Sequence, residues 1–71
     1  MRKRNFTVII ERDEDSMLVA HCPSLRGCHT QARTMTALIP RMKEAIQLCL
    51  EVEGSSFKPM DFVGLQEIEV N

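Results

Sequence analysis

The stretch N-F-T-V-I-I-E-R-D-E-D-S-M-L-V-A-H-C-P-S-L-R-G-C-H-T-Q-A-R, residues 5–33, decides the fold. Its first eight residues are β-branched and aromatic, and Phe6, Val8 and Ile10 fall on one face at period two. Ile9 on the opposite face implies that this face is partly covered as well. Residues 13–16 form a short polar turn, and residues 17–22 make a second strand, so the pair reads as an antiparallel hairpin. Pro23 then stops the pairing. The run P-S-L-R-G turns the chain again, with Gly27 free to take positive φ. Residues 28–33 alternate once more, completing a three-stranded meander.

Outward from this stretch the period changes. Thr34 is an expected N-cap, and apolar residues then recur at helical spacing: Met35, Leu38, Met42, Ala45, Ile46, Cys49 and Val52. Ile39 and Leu50 widen the stripe, while Lys43, Glu44, Gln47 and Glu51 lie opposite it. The spacing predicts a helix over Met35–Glu53 with a distortion near residues 36–40, because Pro40 removes one backbone hydrogen bond. The other reading places Pro40 at the first position of the main helix, after a separate turn. Gly54 is the expected C-cap. A loop over residues 55–64 leads to a last short strand, in which Gln66, Ile68 and Val70 alternate with Glu67 and Glu69. Its acidic face marks it as an edge strand. The expected fold is α+β, ordered β-β-β-α-β, in one domain spanning residues 1–71, with no internal repeat.

Composition narrows the function. The chain has 71 residues, 44% of them hydrophobic and 27% charged, which suits a small globular domain. At this length a single core is marginal, and a second subunit often completes it. Trp and Tyr are absent and Phe numbers three, leaving little from which to build base-stacking platforms. Three cysteines, Cys22, Cys28 and Cys49, are an odd count and read as small buried side chains in a reducing compartment. With no signal-peptide pattern and no apolar run of membrane-spanning length, a cytoplasmic location is expected.

The net charge of −1 hides an uneven distribution. Arg2, Lys3 and Arg4 give a basic start, which offers phosphate only weak, salt-sensitive contact. Glu11, Asp13, Glu14 and Asp15, with Arg12 among them, carry a net −3. Such a block suits a basic partner, and equally a solvated turn. It lacks the spacing and central Gly of a calcium loop. Carboxylates from one hairpin tip also do not converge as two-metal catalysis requires.

His21, Cys22, Cys28 and His29 have the side chains of a zinc site. Strand alternation sends His21 and Cys22 to opposite faces, and the interval between the cysteines fits structural zinc poorly. Buried thiols and half-exposed imidazoles are the expected arrangement. A metal-responsive or small-ligand module on these residues is the alternative function. No thiol lies where a helix N-terminus or nearby cation would activate it, so no nucleophile is expected. The chain reads as a binding protein without a cofactor, not as an enzyme.

The strings F-T-V-I-I-E-R-D-E-D, M-L-V-A-H-C-P-S-L-R-G-C-H-T-Q-A-R-T and K-E-A-I-Q-L-C-L-E resemble the HicB family of antitoxins and its short HicB-like relatives. The resemblance covers residues 5 to about 53, and G-L-Q-E-I-E-V is similar to the family's last strand. Its most specific part is the Pro23–Gly27 turn with its flanking A-H-C and C-H-T-Q-A segments. The resemblance implies a partial ribonuclease-H-like fold without the catalytic carboxylates. It also implies self-association, as a homodimer or tetramer. The partner it implies is HicA, a small basic toxin that cleaves messenger RNA, whose RNA-facing surface HicB masks. On that resemblance the acidic turn is the expected partner contact. Many HicB proteins carry a C-terminal DNA-binding domain. Here Asn71 follows the last strand directly, so operator binding is not expected to carry over. The segment T-M-T-A-L-I-P-R-M also departs from the family's acidic, proline-free helix start.

Overall fold

A computed structural model describes residues 5–54 and 60–71. Three strands, β1 (Ile9–Arg12), β2 (Leu18–His21) and β3 (His29–Ala32), precede one helix, α1 (Met35–Glu53). The strands form an antiparallel sheet in the order β1-β2-β3, with Ile10 opposite Ala20 and Ala20 opposite Thr30. The chain is therefore α+β with the expected meander and helix. β1 is shorter than the alternation of residues 5–12 predicts. Phe6 and Val8 still pack against the core, but they lie ahead of the paired segment.

Period-two alternation gives the sheet one fully buried face. Leu18, Ala20, Cys22, Cys28 and Ala32 lie inward, and Leu25 folds in from the second turn. Most of these side chains are small, which lets α1 approach closely and set Leu38 and Met42 into the sheet. The helix lies over β3 and β2 and does not reach β1. Its stripe is only partly covered farther along: Ala45, Ile46, Cys49 and Leu50 are half-buried, and Leu48 and Val52 are exposed.

The helix ends follow the sequence. The Ala37 amide donates to Thr34 Oγ1 at 3.2 Å, and Gly54 at φ 57° turns its N–H back to the Leu50 carbonyl. Between them α1 runs through Pro40 as a single helix of 19 residues, so the reading in which Pro40 opens the main helix is replaced. The Thr36 carbonyl has no amide donor from Pro40. Both residues are exposed, and water can serve that carbonyl.

The expected last strand departs from the sequence reading. Residues 60–71 show no regular secondary structure, and every one is exposed. Alternation in residues 66–70 specifies two faces but supplies no partner, and among the described residues neither sheet edge is hydrogen-bonded to them. One contact fixes where this segment starts: the Met60 amide donates to the Ser24 carbonyl at 3.1 Å.

Replacing Pro40 by Ala restores a donor for Thr36 and a better helix former in an exposed position. The Pro40→Ala chain is expected to unfold at higher denaturant, with a gain of about 1–3 kcal/mol. Equilibrium urea denaturation measures it, and an unchanged midpoint would contradict this account of the helix.

Candidate functional site

Asp13 organises the β1–β2 connection. Its Oδ1 accepts from the amides of Asp15 and Met17, each at 2.9 Å. Its own amide donates to the Met17 carbonyl at 2.9 Å, and its carbonyl accepts from Ser16 at 3.1 Å. Ser16 completes the turn at φ 64°, a conformation that L residues rarely adopt. One carboxylate thus serves the backbone, in the manner of an Asx-turn. Glu11, Glu14 and Asp15 remain exposed. The four acids that the sequence groups together therefore divide into one structural carboxylate and three outward-facing ones. Glu11 also sits 4.0 Å from His21 Nδ1 across the strand pair, with Glu11 exposed and His21 half-buried.

The second turn brings Cys22 and Cys28 to its base. The Cys22 amide donates to the Cys28 carbonyl at 3.0 Å, Leu25 donates to Cys22, and Cys28 donates to Leu25. Gly27 takes φ 69°, and the Gly27 carbonyl lies 3.0 Å from His29 Nδ1. His21 and His29 are directly paired across β2 and β3, on the face away from α1. Cys22 and Cys28 are buried in the core on the other side. The four residues of the zinc reading are split between opposite faces. Among the described residues no three His, Cys, Asp or Glu side chains gather where they would hold a metal ion.

A thiol cluster takes the place of that constellation. Cys49 on α1 packs against the core that holds Cys22 and Cys28, near enough for both thiols to act on Cys28. Burial pushes the Cys28 thiol up to about 12, with the Cys49 hydrogen bond and the neighbouring thiols acting in the same direction. A thiol held protonated is a poor nucleophile and a poor metal ligand. The sequence held a signal for this cluster. Cys49 follows Met42 by seven residues, two helical turns along the same stripe.

A groove that sequence reading did not single out runs along the other side of the molecule. It lies between the segment leading into β1, with Asn5, Phe6 and Val8, and the α1 face carrying Ile39, Met42, Ile46 and Leu50. It exists because α1 covers β2 and β3 but leaves β1 uncovered. No helix among the described residues is long and apolar enough to cross a membrane.

No protein-family model matches the chain. It is 48% identical over 65 residues to a UPF0150 protein of Archaeoglobus fulgidus, covering 92% of this chain and 93% of the relative. A UPF0150 protein of Synechocystis is 38% identical over 73 residues, covering 99% of this chain and 100% of the relative. A third, from Thermoplasma acidophilum, is 44% identical over 46 residues, or 65% of this chain.

Two measurements check this geometry. Asp13→Ala removes an acceptor of two backbone amides and should lower stability by about 1 kcal/mol, whereas Glu14→Ala should change it by under about 0.5 kcal/mol. Equal effects would place the turn's organisation elsewhere. For Cys28, the folded state keeps a proton that the unfolded chain releases above the ordinary value of 9.0. Its contribution to stability is present in full below pH 9 and is lost as pH rises toward 12. Thermal unfolding followed from pH 8 to 11 should show a steeper decline for the native chain than for Cys28→Ala. Parallel curves would remove this role for the thiol.

Proposed function

The chain belongs to the UPF0150 family, and on that premise we propose that it is a HicB-type antitoxin, a protein that captures a small basic ribonuclease and covers its RNA-facing surface. The motif likeness over residues 5–53 supports this reading, as does the three-stranded meander with one packed helix. This β-β-β-α layout is the first part of the arrangement that the resemblance implies. The observation that carries the proposal is the acidic tip. Glu14 and Asp15 lie exposed on the turn that Asp13 braces, and Glu11 lies exposed on β1 leading into it.

A surface that binds RNA is cationic, because phosphate contact depends on Lys and Arg. An anionic tip is complementary to such a surface and speeds encounter with it. Carboxylates on a preformed turn also lose little freedom on docking, so more of their attraction appears as affinity. The protein needs no chemistry of its own for this task. It acts by occupying the toxin's substrate surface, and its thiols are structural. Three free cysteines and a partner that attacks messenger RNA both accord with a cytoplasmic location.

The test is calorimetry with a HicA-type toxin, together with growth on co-expression. A saturable complex that weakens as salt rises is expected, along with rescue of growth. Reversing the tip with Glu11→Lys, Glu14→Lys and Asp15→Lys should raise Kd about tenfold or more, a loss of ~1.4 kcal/mol or greater. Absence of any complex together with absence of rescue would remove the proposal. An unaltered Kd in the reversed chain would move the contact away from the tip.

A further inference from the structure

The acidic tip and the thiol cluster leave two histidines without a role. His21 and His29 stand directly opposite each other on β2 and β3, on the sheet face turned away from α1. The next pair along the ladder fixes how close they come. There the Cys22 amide donates to the Cys28 carbonyl at 3.0 Å, so Cys22 and Cys28 are a hydrogen-bonded pair. By alternation His21 and His29 are a non-hydrogen-bonded pair, with Cα atoms about 4.5 Å apart and side chains in close approach. Both line one open cavity of about 240 Å³ at the Pro23–Gly27 turn.

The proton on each ring is placed by what its Nδ1 meets. His29 Nδ1 lies 3.0 Å from the Gly27 carbonyl, and a carbonyl oxygen only accepts, so Nδ1 carries the proton. His21 Nδ1 faces the Glu11 carboxylate at 4.0 Å, which favours a proton on the same atom. In each neutral ring the lone pair is then left on Nε2. Two such lone pairs occupy adjacent strands on one face.

We infer that His21 Nε2 and His29 Nε2 together hold a divalent metal ion of the class that favours imidazole: zinc, nickel or copper. An oxygen behind Nδ1 is the usual support of a metal-bound histidine, because it fixes the ring and makes Nε2 a better donor. A main-chain carbonyl does this for His29, and a carboxylate does it for His21. The charge of Glu11 also offsets that of Arg26, which lines the same cavity. An anion fits worse, since neutral rings offer it no N–H at Nε2 and Glu11 repels it. Cys22 and Cys28 take no part, being buried on the other side of the sheet. Among the described residues no third His, Cys, Asp or Glu completes a cage, so water fills the remaining positions and the ion exchanges freely. This site stands apart from the antitoxin reading and needs no toxin.

Zinc titrated into the isotope-labelled full chain, followed by imidazole nitrogen NMR, tests the inference directly. Nε2 of both histidines should shift together and saturate at one ion per chain, while both Nδ1 atoms stay protonated. His21→Gln and His29→Gln should each weaken zinc binding about tenfold or more. Both variants should keep the helix signal in circular dichroism, since neither side chain belongs to the core. Glu11→Gln should weaken binding less than either, and Cys49→Ser should leave it unchanged. Absence of saturable binding would overturn the inference. So would shifts confined to one ring, equal affinity in the two histidine variants and the native chain, or loss of binding in Cys49→Ser.

Discussion

Everything in this molecule depends on Leu38 and Met42 closing onto a sheet face of small side chains. Ala20 and Ala32 are almost wholly buried, and Cys22 and Cys28 fill the space that alanine would leave open. Small residues on the strands bring α1 near enough for two turns of its stripe to seal β2 and β3. The same economy limits what the helix can cover. A single helix on three short strands leaves one strand without a lid, and that strand is β1. The half-exposed Ile46 and Leu50, the partly buried Phe6 and Val8, and the groove between them follow from one geometric shortage. A 71-residue chain has too little second layer for its sheet.

Most of this was legible in the sequence, and for identifiable reasons. Thr34, Gly54 and Gly27 act through local backbone chemistry, so their roles appear without tertiary knowledge. The two hairpins and the helix announce themselves by a change of period between residues 33 and 35. Two features were not legible in this way. A proline penalty is local, but its remedy is environmental: Pro40 and Thr36 both lie on the exposed side of the helix. Alternation in residues 66–70 likewise states which side of a strand is apolar, while the existence of a strand depends on a neighbour. Pairing is a property of two segments, and one segment's pattern cannot supply it.

The candidate site was legible in its residues and less so in its division of labour. Glu11, Asp13, Glu14 and Asp15 look equivalent as a charge block. Only the turn geometry separates Asp13, whose oxygen is committed to two amides, from the three that face outward. The His/Cys pairs illustrate the converse. Strand parity alone predicts that His21 and Cys22 point to opposite faces. The structure places them so, through the direct pairing of His21 with His29. The link from Cys28 to Cys49 required the helix to be docked, because it joins two elements whose relative position no local pattern encodes.

The placement of these features along the sheet bears on how they can act together. β2 runs from the acidic tip at its start to the Pro23–Gly27 turn at its end. The tail departs from Ser24, so it begins at the end of the strands farthest from Glu14 and Asp15. The tip's carboxylates therefore stand apart from the aliphatic side chains of the tail and groove, and any contact they make rests on charge, which salt screens.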